Sequence, residues 1–210
     1  MDKHEFLRLM HNLIRPEIYL EIGVQYGQSL RLAKFSRVAI GIDPNPQVTE
    51  APSNMRLYEM HSSEFYDREL WTENEPAGLA FIDGSHLFED AVDDFDLVLN
   101  STDRDSVAVF DDVLPRNEVE ASRTPNLNVW AGDVWRLHPY LTARHPRTTF
   151  VLVDVEPTGV MVAYDLNWSH DRHIYEYAND PVPESVLTRK HAVSGMTALT
   201  MVSEWIDAKW

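Results

Sequence analysis

The sequence of 210 residues contains no cysteine. Disulfide bonds and zinc sites built from thiolates are therefore excluded. No apolar run approaches the roughly 20 residues that a transmembrane helix needs, and the polar amphipathic start is unlike a signal peptide. These absences predict a cytoplasmic protein. Basic residues are also scarce, since 18 Lys and Arg stand against 34 Asp and Glu, giving a formal net charge of −16. Such a surface repels phosphate backbones and anionic lipid, which disfavours nucleic acid and membrane partners.

The size and composition of the chain favour one folded domain. Hydrophobic residues make up 44% of the chain, which is sufficient for a substantial core. The length fits one large α/β domain better than two small ones. No repeat or linker is visible, so we predict a single domain over residues 1–210, with a lead-in helix in 1–16 and a C-terminal extension in 166–210.

The stretch Tyr-Leu-Glu-Ile-Gly-Val-Gln-Tyr-Gly-Gln-Ser, residues 19–29, organises the rest of the prediction. It predicts a first strand, a tight turn between Gly23 and Gly27, and a helix over 29–35. In α/β proteins, such a turn is where a nucleotide-like ligand binds. Glycine suits the turn because a Cβ would collide with a close ligand or require a disfavoured φ.

Further apolar runs separated by Gly, Pro and polar residues predict the remaining elements. We expect strands at 38–42, 55–60, 79–82, 107–110, 148–155 and 159–164, and helices at 4–14, 61 onward, 87–99, 130–145 and 196–206. The last two strands flank Glu-Pro-Thr-Gly, a hairpin pattern that adds one antiparallel strand to a parallel sheet. The acidic residues of the 87–99 helix, including Asp90, Asp93 and Asp94, are interpreted as a solvated outer face without function.

Several predicted strands end in carboxylates. Asp43 follows the second strand, Asp83 the fourth, and Asp111-Asp112 the fifth, with His86 three residues beyond Asp83. Because the carboxyl ends of parallel strands share one edge of a sheet, we expect these groups to meet beside the glycine turn.

Three neighbouring carboxylates must be protonated or hold a cation. Without cysteine, hard oxygen ligands suit Mg²⁺, Ca²⁺ or Mn²⁺. A substrate hydroxyl bound to such an ion becomes more acidic, and His86 is placed to take its proton. The alternative for His86 is a residue beside a helix N-cap that bonds to the backbone.

Neighbouring residues limit the class of ligand that the glycine turn can bind. Asp43 lies 20 positions after Gly23, where a carboxylate typically binds ribose hydroxyls; the alternative is a turn Asp before proline. Gln25 replaces the second glycine of a dinucleotide motif, and no P-loop motif is present. Glu21 would repel phosphate but could orient a cationic ligand. Ser62 or Ser63 either caps the next helix or borders an adenine pocket.

The motifs E-x-G-x-x-x-G-x-S at 21–29 and I-D-G-x-H at 82–86, together with Asp43, resemble class I S-adenosylmethionine-dependent methyltransferases over about residues 18–165. With Phe110-Asp111-Asp112, the chain is most similar to the branch of the macrocin and mycinamicin sugar O-methyltransferases. That family can have Glu at the position of Asp111. The resemblance implies a Rossmann-like sheet of seven strands, mostly parallel, with helices on both faces.

The resemblance also implies site residues. Mg²⁺ would be held by Asp83, Asp111 and Asp112, with His86 as the general base. S-adenosylmethionine would contact residues of the turn and of the neighbouring strand ends, namely Glu21, Gly23, Gly27, Ser29, Asp43, Ser62, Ser63 and Asp83.

The expected function is a metal-assisted O-methyltransferase for a small hydroxylated molecule, such as a sugar of a glycosylated natural product or polysaccharide precursor. The alternatives are a metal-independent methyltransferase in which Asp111 and Asp112 orient the substrate, a non-catalytic S-adenosylmethionine-binding protein and, last, a metal-dependent hydrolase.

Two segments outside the motifs carry further expectations. The polar segment 113–128 is long enough for a substrate-binding loop, with Arg116, Asn117, Glu118 and Arg123 as candidate contacts. The apolar residues of 196–206 could pack on the domain or on a second subunit, which would make the protein a homo-oligomer.

Overall fold

The computed structural model describes residues 1–125, 130–167 and 180–209. In these ranges, eight strands form one sheet in the order β3-β2-β1-β4-β5-β7-β6-β8. The strands are β1 (Ile18–Ile22), β2 (Val38–Asp43), β3 (Met55–Glu59), β4 (Leu79–Ile82), β5 (Val107–Asp111), β6 (Thr149–Asp154), β7 (Val160–Tyr164) and β8 (Val193–Ser194). Strand β7 runs antiparallel to both of its neighbours, and every other pair is parallel.

This sheet confirms the predicted Rossmann-like α/β fold with one antiparallel strand. The predicted count of seven strands is one short, because β8 also pairs with β6. Strand β8 has only two residues, so it is too short to show an alternating apolar pattern in the sequence.

Six α-helices flank the sheet within the described ranges: α1 (Lys3–Ile14), α2 (Ser62–Asp67), α3 (Phe88–Leu99), α4 (Leu137–Arg144), α5 (Glu184–Leu187) and α6 (Gly195–Asp207). The helix predicted at 29–35 is only a 3-10 turn, Leu30–Leu32. The helix predicted at 130–145 begins later, as a 3-10 turn that runs into α4.

Buried side chains cover both faces of the sheet. On one face, Phe95 of α3 and Leu141 of α4 pack against Phe110. On the other face, Phe6 of α1 and Val202 of α6 pack against the sheet. Burying each large apolar side chain of this kind contributes about 1.5–3 kcal/mol, so both faces stabilise the sheet.

The C-terminal helix α6 packs on its own domain. Ala198 and Val202 are buried in the second cluster, and Met201, Trp205 and Ile206 are partly buried against it. Homo-oligomerisation through this segment stays a prediction. Residues 168–179 of the extension and 126–128 of the predicted loop lie outside the described residues. Within the described ranges, none of the helices combines the length and apolar character that crossing a bilayer requires.

The strand register aligns the ends that carry the candidate site. Ile22 of β1 pairs with Ile42 of β2 and with Ile82 of β4, and Ile82 pairs with Phe110 of β5. The residues that follow these four positions therefore stand side by side, as predicted from the common edge of parallel strands.

Candidate active site

A cavity of about 720 Å³ opens at the carboxyl ends of β1, β2 and β4. Its volume lies within the range of small-molecule and cofactor sites, roughly 300–1,000 Å³. Seven of the predicted site residues line it: Gly23, Ser29, Asp43, Ser62, Ser63, Asp83 and His86. Glu21, Gly27, Asp111 and Asp112 do not line this cavity, although Asp111 and Asp112 border the smaller hollow beside it.

Both glycines of the turn have left-handed backbone conformations, Gly23 with φ +84° and Gly27 with φ +70°. A Cβ on Gly23 would lie 1.7 Å from the carbonyl oxygen of Asp83, and one on Gly27 would lie 2.9 Å from Cγ2 of Val48. The need for glycine and the predicted disfavoured φ are thus confirmed, whereas the atoms that a Cβ would meet belong to the protein and not to a ligand. The close neighbours are protein atoms, and Gly23 lets the end of β1 approach the end of β4.

Glu21 lies beneath the cavity and not in its wall. One carboxylate oxygen accepts a hydrogen bond from the Tyr19 hydroxyl at 2.7 Å, and the other accepts one from the Ser29 hydroxyl at 2.8 Å. Burial raises the pKa of Glu21 to about 8. The structure corrects the predicted cofactor contact: Glu21 positions Ser29, which does line the cavity.

Asp43 stands in the cavity wall and holds the glycine turn. Its Oδ2 accepts hydrogen bonds from the backbone amides of Val24 and Gln25, both at 2.8 Å, and its Oδ1 accepts one from Asn45 at 2.7 Å. A carboxylate offers about four acceptor positions. One position therefore remains for a ribose hydroxyl, so Asp43 combines the turn role with room for the predicted one.

The start of α2 differs from the prediction. His61 is the N-cap residue without a capping side-chain bond, so neither serine caps the helix. Ser62 instead donates a hydrogen bond to Asp94 of α3 at 2.5 Å, and Ser63 lines the cavity. Burial raises the pKa of Asp94 to about 7.

The acidic face of α3 was interpreted as solvated and without function. Asp90 and Asp93 are exposed as predicted, but Asp94 is buried, with 6% exposed. Asp90, Asp93 and Asp94 line the cavity together with Leu97. Their spacing of three and four residues places them on one helix face. The sequence assigned no function to Asp94, because this spacing is also that of a solvated helix face.

The structure brings Asp83, Asp111 and Asp112 together, and we refer to these three residues as the acidic cluster. The Lys3 ammonium donates a hydrogen bond to Oδ2 of Asp83 at 3.0 Å and another to Oδ2 of Asp111. Lys3 also lines the cavity. No motif identified this lysine, because its place in the site depends on how α1 packs beside the sheet edge.

His86 joins the acidic cluster from the loop after β4. Its Nε2 lies 3.4 Å from Oδ1 of Asp83, and its Nδ1 lies 3.0 Å from Oδ2 of Asp112. Nδ1 also lies 2.8 Å from the carbonyl oxygen of Trp130, whose ring stacks on the imidazole at 5.2 Å between centroids. His86 therefore makes the backbone contact of the alternative interpretation and also faces the carboxylates, and its role as a general base stays a prediction.

The charges in this region shift each other's pKa. Burial opposes protonation of His86, but the hydrogen bond to Asp83 and the charges of Asp112 and Asp83 raise its pKa to about 9. Burial also opposes ionisation of Asp83, yet His86 and Lys3 hold its pKa below the ordinary value. Burial and the other two carboxylates raise the pKa of Asp111, and Lys3 opposes this rise.

A metal ion has one compatible donor set here. Asp83, His86 and Asp112 each offer a ligand atom, and these atoms lie within 4.8 Å of one another. This set differs from the predicted one, because Lys3 lies between Asp83 and Asp111. Binding of Mg²⁺ therefore stays a prediction. The Lys3 ammonium already contacts Asp83 and Asp111, two of the three predicted Mg²⁺ ligands.

The candidate substrate contacts of the 113–128 segment are engaged elsewhere. Arg116 forms an ion pair with Glu120 at 2.6 Å, and Arg123 forms one with Asp133 at 3.0 Å. The Asn117 side chain accepts from the backbone amide of Glu120. None of the four predicted contacts lines the cavity: Arg116, Asn117, Glu118 and Arg123 all lie outside its wall.

Comparisons with known proteins agree with this fold. Residues 20–113 match the family model described as a methyltransferase domain. Among curated proteins, no sequence matches the chain. The structure is similar to the O-methyltransferase TomG from Streptomyces achromogenes, involved in tomaymycin synthesis and solved with S-adenosylmethionine (TM-score 0.59, 19% identity, covering 77% of this chain and 78% of that one).

Two further structures share the fold. One is the Bacillus cereus O-methyltransferase with S-adenosylhomocysteine (TM-score 0.55, 16% identity, covering 77% of this chain and 80% of that one). The other is the S-adenosylhomocysteine-bound methyltransferase PaMTH1 from Podospora anserina (TM-score 0.57, 16% identity, covering 77% of each chain). The family model thus matches the part of the chain from β1 to just after β5, and the solved structures share its fold.

Proposed function

We propose that this chain transfers a methyl group from S-adenosylmethionine to a hydroxyl oxygen of a small molecule, with a sugar or glycosylated natural product as the acceptor class. The observation that carries the proposal is the position of His86 and Asp83 in the wall of the 720 Å³ cavity. A methyl donor bound in this cavity would therefore lie next to an acceptor bound at the acidic cluster. The similar O-methyltransferases from Streptomyces achromogenes and Bacillus cereus support the reaction class.

The cavity wall fits a cationic nucleoside ligand. Carboxylates of Asp43, Asp90, Asp93 and Asp94 line it, and the only basic side chains among the described lining residues are Lys3 and histidines. This charge balance favours a sulfonium over a pyrophosphate. Gly23, Ser29, Asp43, Ser62, Ser63 and Asp94 are the residues that would hold the cofactor. When bound, S-adenosylmethionine supplies a methyl group on a positively charged sulfur.

His86 is the residue placed to move a proton. The neighbouring carboxylates raise the pKa of His86 to about 9, so the resting ring is protonated and must lose the Nε2 proton before it can act as a base. Because Nδ1 is bonded to the carbonyl oxygen of Trp130, the ring then keeps its proton on Nδ1 and accepts at Nε2. With S-adenosylmethionine in the cavity as the methyl donor, His86 would take the proton of the acceptor hydroxyl at Nε2. The Asp112 carboxylate, 3.0 Å from Nδ1, stabilises the resulting imidazolium.

A panel of matched acceptors tests this function. Purified protein and isotopically labelled S-adenosylmethionine are incubated with glycosides and with the corresponding amino sugars, which differ only in the accepting atom. We expect methyl transfer to a hydroxyl and none to the matched amine. Transfer to the amine alone would contradict the O-methyl assignment. Cofactor binding by calorimetry without transfer to any acceptor would favour the non-catalytic alternative.

The second candidate is the same reaction assisted by a divalent ion. It is favoured by the proximity of Asp83, His86 and Asp112, whose ligand atoms lie within 4.8 Å. Mg²⁺ held by these residues would acidify an acceptor hydroxyl, and His86 would then be a ligand and not the base. Activity that is lost on exhaustive EDTA treatment and restored by Mg²⁺ would establish this form, and activity that survives would exclude it.

A further inference from the structure

We propose that the ammonium group of Lys3 is the resident cation of the acidic cluster and occupies the position that a divalent ion would take between Asp83 and Asp111. This proposal rests on the proposed function. It identifies the Lys3 ammonium as the group that neutralises the carboxylate charge at the acceptor end of the cavity. It makes Lys3 a positioning residue, since its contacts are with these carboxylates.

The geometry places the ammonium on two of the three predicted metal ligands. Nζ of Lys3 lies 3.0 Å from Oδ2 of Asp83 and also contacts Oδ2 of Asp111. A Mg²⁺ ion shared by the same two oxygens would lie about 2.0–2.1 Å from each of them. The ion and the ammonium would need the same space, so binding of one excludes the other.

The backbone around Lys3 fixes this position. The Lys3 amide donates to the carbonyl oxygen of Glu156 at 2.9 Å, and the Glu156 amide donates to the carbonyl oxygen of Met1 at 3.1 Å. Asp2 caps α1 by accepting from the Glu5 amide at 2.8 Å. These bonds tie the start of α1 to the turn between β6 and β7, so Lys3 is held by the fold.

Packing of α1 supports the same position. Phe6, Leu7 and Met10 are fully buried between the helix and the sheet. The side chain of Lys3 is itself mostly buried, with 22% exposed, and that of Asp111 is almost completely buried, with 2% exposed. Movement of the ammonium out of the cluster would leave a buried carboxylate without a cation, which is strongly unfavourable.

The charges of the acidic cluster are already divided between two protein cations. Lys3 contacts Asp83 and Asp111, and His86 contacts Asp112 at 3.0 Å. A divalent ion placed between Asp83 and Asp111 would meet the ammonium at contact distance and be repelled. Replacement of Lys3 by an uncharged residue should therefore open a metal site that the wild-type chain lacks.

Binding of Mn²⁺, measured by calorimetry and by electron paramagnetic resonance of the free ion, tests the proposal. The proteins compared are wild type, Lys3→Met, Lys3→Arg and the exposed control Lys34→Met. We expect no Mn²⁺ binding that depends on Asp111 up to about 1 mM in the wild type, Lys3→Arg and Lys34→Met. Lys3→Met should bind Mn²⁺ at least about tenfold more tightly, and Asp111→Asn in the same chain should abolish this gain.

Two results would overturn the proposal. One is wild-type binding of one Mn²⁺ ion that Asp111→Asn abolishes; the other is a folded Lys3→Met protein that gains no Mn²⁺ binding. Should Lys3→Met fail to fold, wild type against Asp111→Asn decides, because Asp111-dependent binding contradicts the proposal and its absence supports it. These measurements need no turnover, so failure of the proposed methyl transfer would be recognised separately, in the acceptor panel.

Discussion

The carboxylates at the two ends of the cavity are stabilised by different kinds of partner. At the β1–β2 end, Glu21 accepts from two hydroxyl groups, and Asp43 accepts from three backbone amides. At the β4–β5 end, the acidic cluster is paired with the charged side chains of Lys3 and His86. Neutral donors shape the binding turn, whereas Lys3 and His86 hold the pKa of Asp83 below its ordinary value and so keep this carboxylate ionised beside the group that moves a proton.

This difference predicts which property each end controls. Substitutions at the β4–β5 end should change turnover more than cofactor affinity. Substitutions at the β1–β2 end should change stability and cofactor affinity more than the chemical step. The following predictions run from the largest expected effect to the smallest.

Replacement of His86 by asparagine should have the largest effect on activity. Asparagine tolerates the left-handed backbone of this position, φ +62°, better than most residues. Loss of a general base should lower kcat by about 10²–10⁴-fold, while Kd for S-adenosylmethionine changes by less than about threefold. Steady-state kinetics and calorimetry measure the two quantities. The exposed His191→Asn serves as the control, and an equal loss of turnover and affinity in His86→Asn would remove the base assignment.

Replacement of Gly23 by alanine should strongly destabilise the fold, because the new Cβ would lie 1.7 Å from the carbonyl oxygen of Asp83 at a φ of +84°. We expect the free energy of unfolding to fall by about 3 kcal/mol or more in urea titrations. Gly78→Ala is the matched control, since its Cβ comes no closer than 3.3 Å to Pro16, and it should cost less than about 1 kcal/mol. Similar losses in both variants would show that the two strand ends are not in close contact.

Replacement of Glu21 by glutamine should change how stability depends on pH. Burial raises the pKa of Glu21 from 4.5 to about 8, so between these values the folded chain keeps a proton that the unfolded chain loses. The free energy of unfolding of the wild type should therefore fall as pH rises through this window. Glu21→Gln should remove on the order of 2 kcal/mol of that decline. Urea unfolding of both proteins at pH 5 and pH 8 measures it, and parallel pH profiles would contradict the buried-acid assignment.

Replacement of Asp43 by asparagine should have the smallest of these effects. An amide nitrogen cannot accept from the backbone of Val24, Gln25 or Asn45, so the turn loses part of its support. We expect a stability loss of about 1 kcal/mol and roughly tenfold weaker binding of S-adenosylmethionine, with kcat nearly unchanged. Asp103→Asn is the control, because Asp103 also accepts from backbone and hydroxyl donors but lies outside the cavity wall. An unchanged affinity for S-adenosylmethionine in Asp43→Asn would show that the Asp43 carboxylate does not contribute to cofactor binding.

Much of the fold could be predicted because apolar runs broken by Gly, Pro and charged residues mark strand ends directly. Strand β4 and the β6–β7 hairpin lie where the pattern placed them. The helix expected after Gly27 could not be excluded from periodicity alone. In the structure this segment forms only the 3-10 turn Leu30–Leu32 before β2 begins at Val38.

The part of the candidate site that could be predicted is the set of side chains at the strand ends. Asp83, Asp111 and Asp112 meet because parallel neighbours end at one edge of the sheet. The contribution of Lys3 could not be predicted, since it depends on the packing of a helix far away in the sequence. Asp94 shares its spacing with solvated helix positions, and only the adjacent cavity distinguishes the two cases.

A crystal structure of the chain with S-adenosylhomocysteine and Mn²⁺ tests the central claim most directly. We predict the cofactor product in the cavity between Asp43 and Asp83, with the Lys3 ammonium between Asp83 and Asp111 and no anomalous Mn²⁺ density there. Anomalous density between these carboxylates with Lys3 displaced, or S-adenosylhomocysteine bound outside the cavity, would contradict the account.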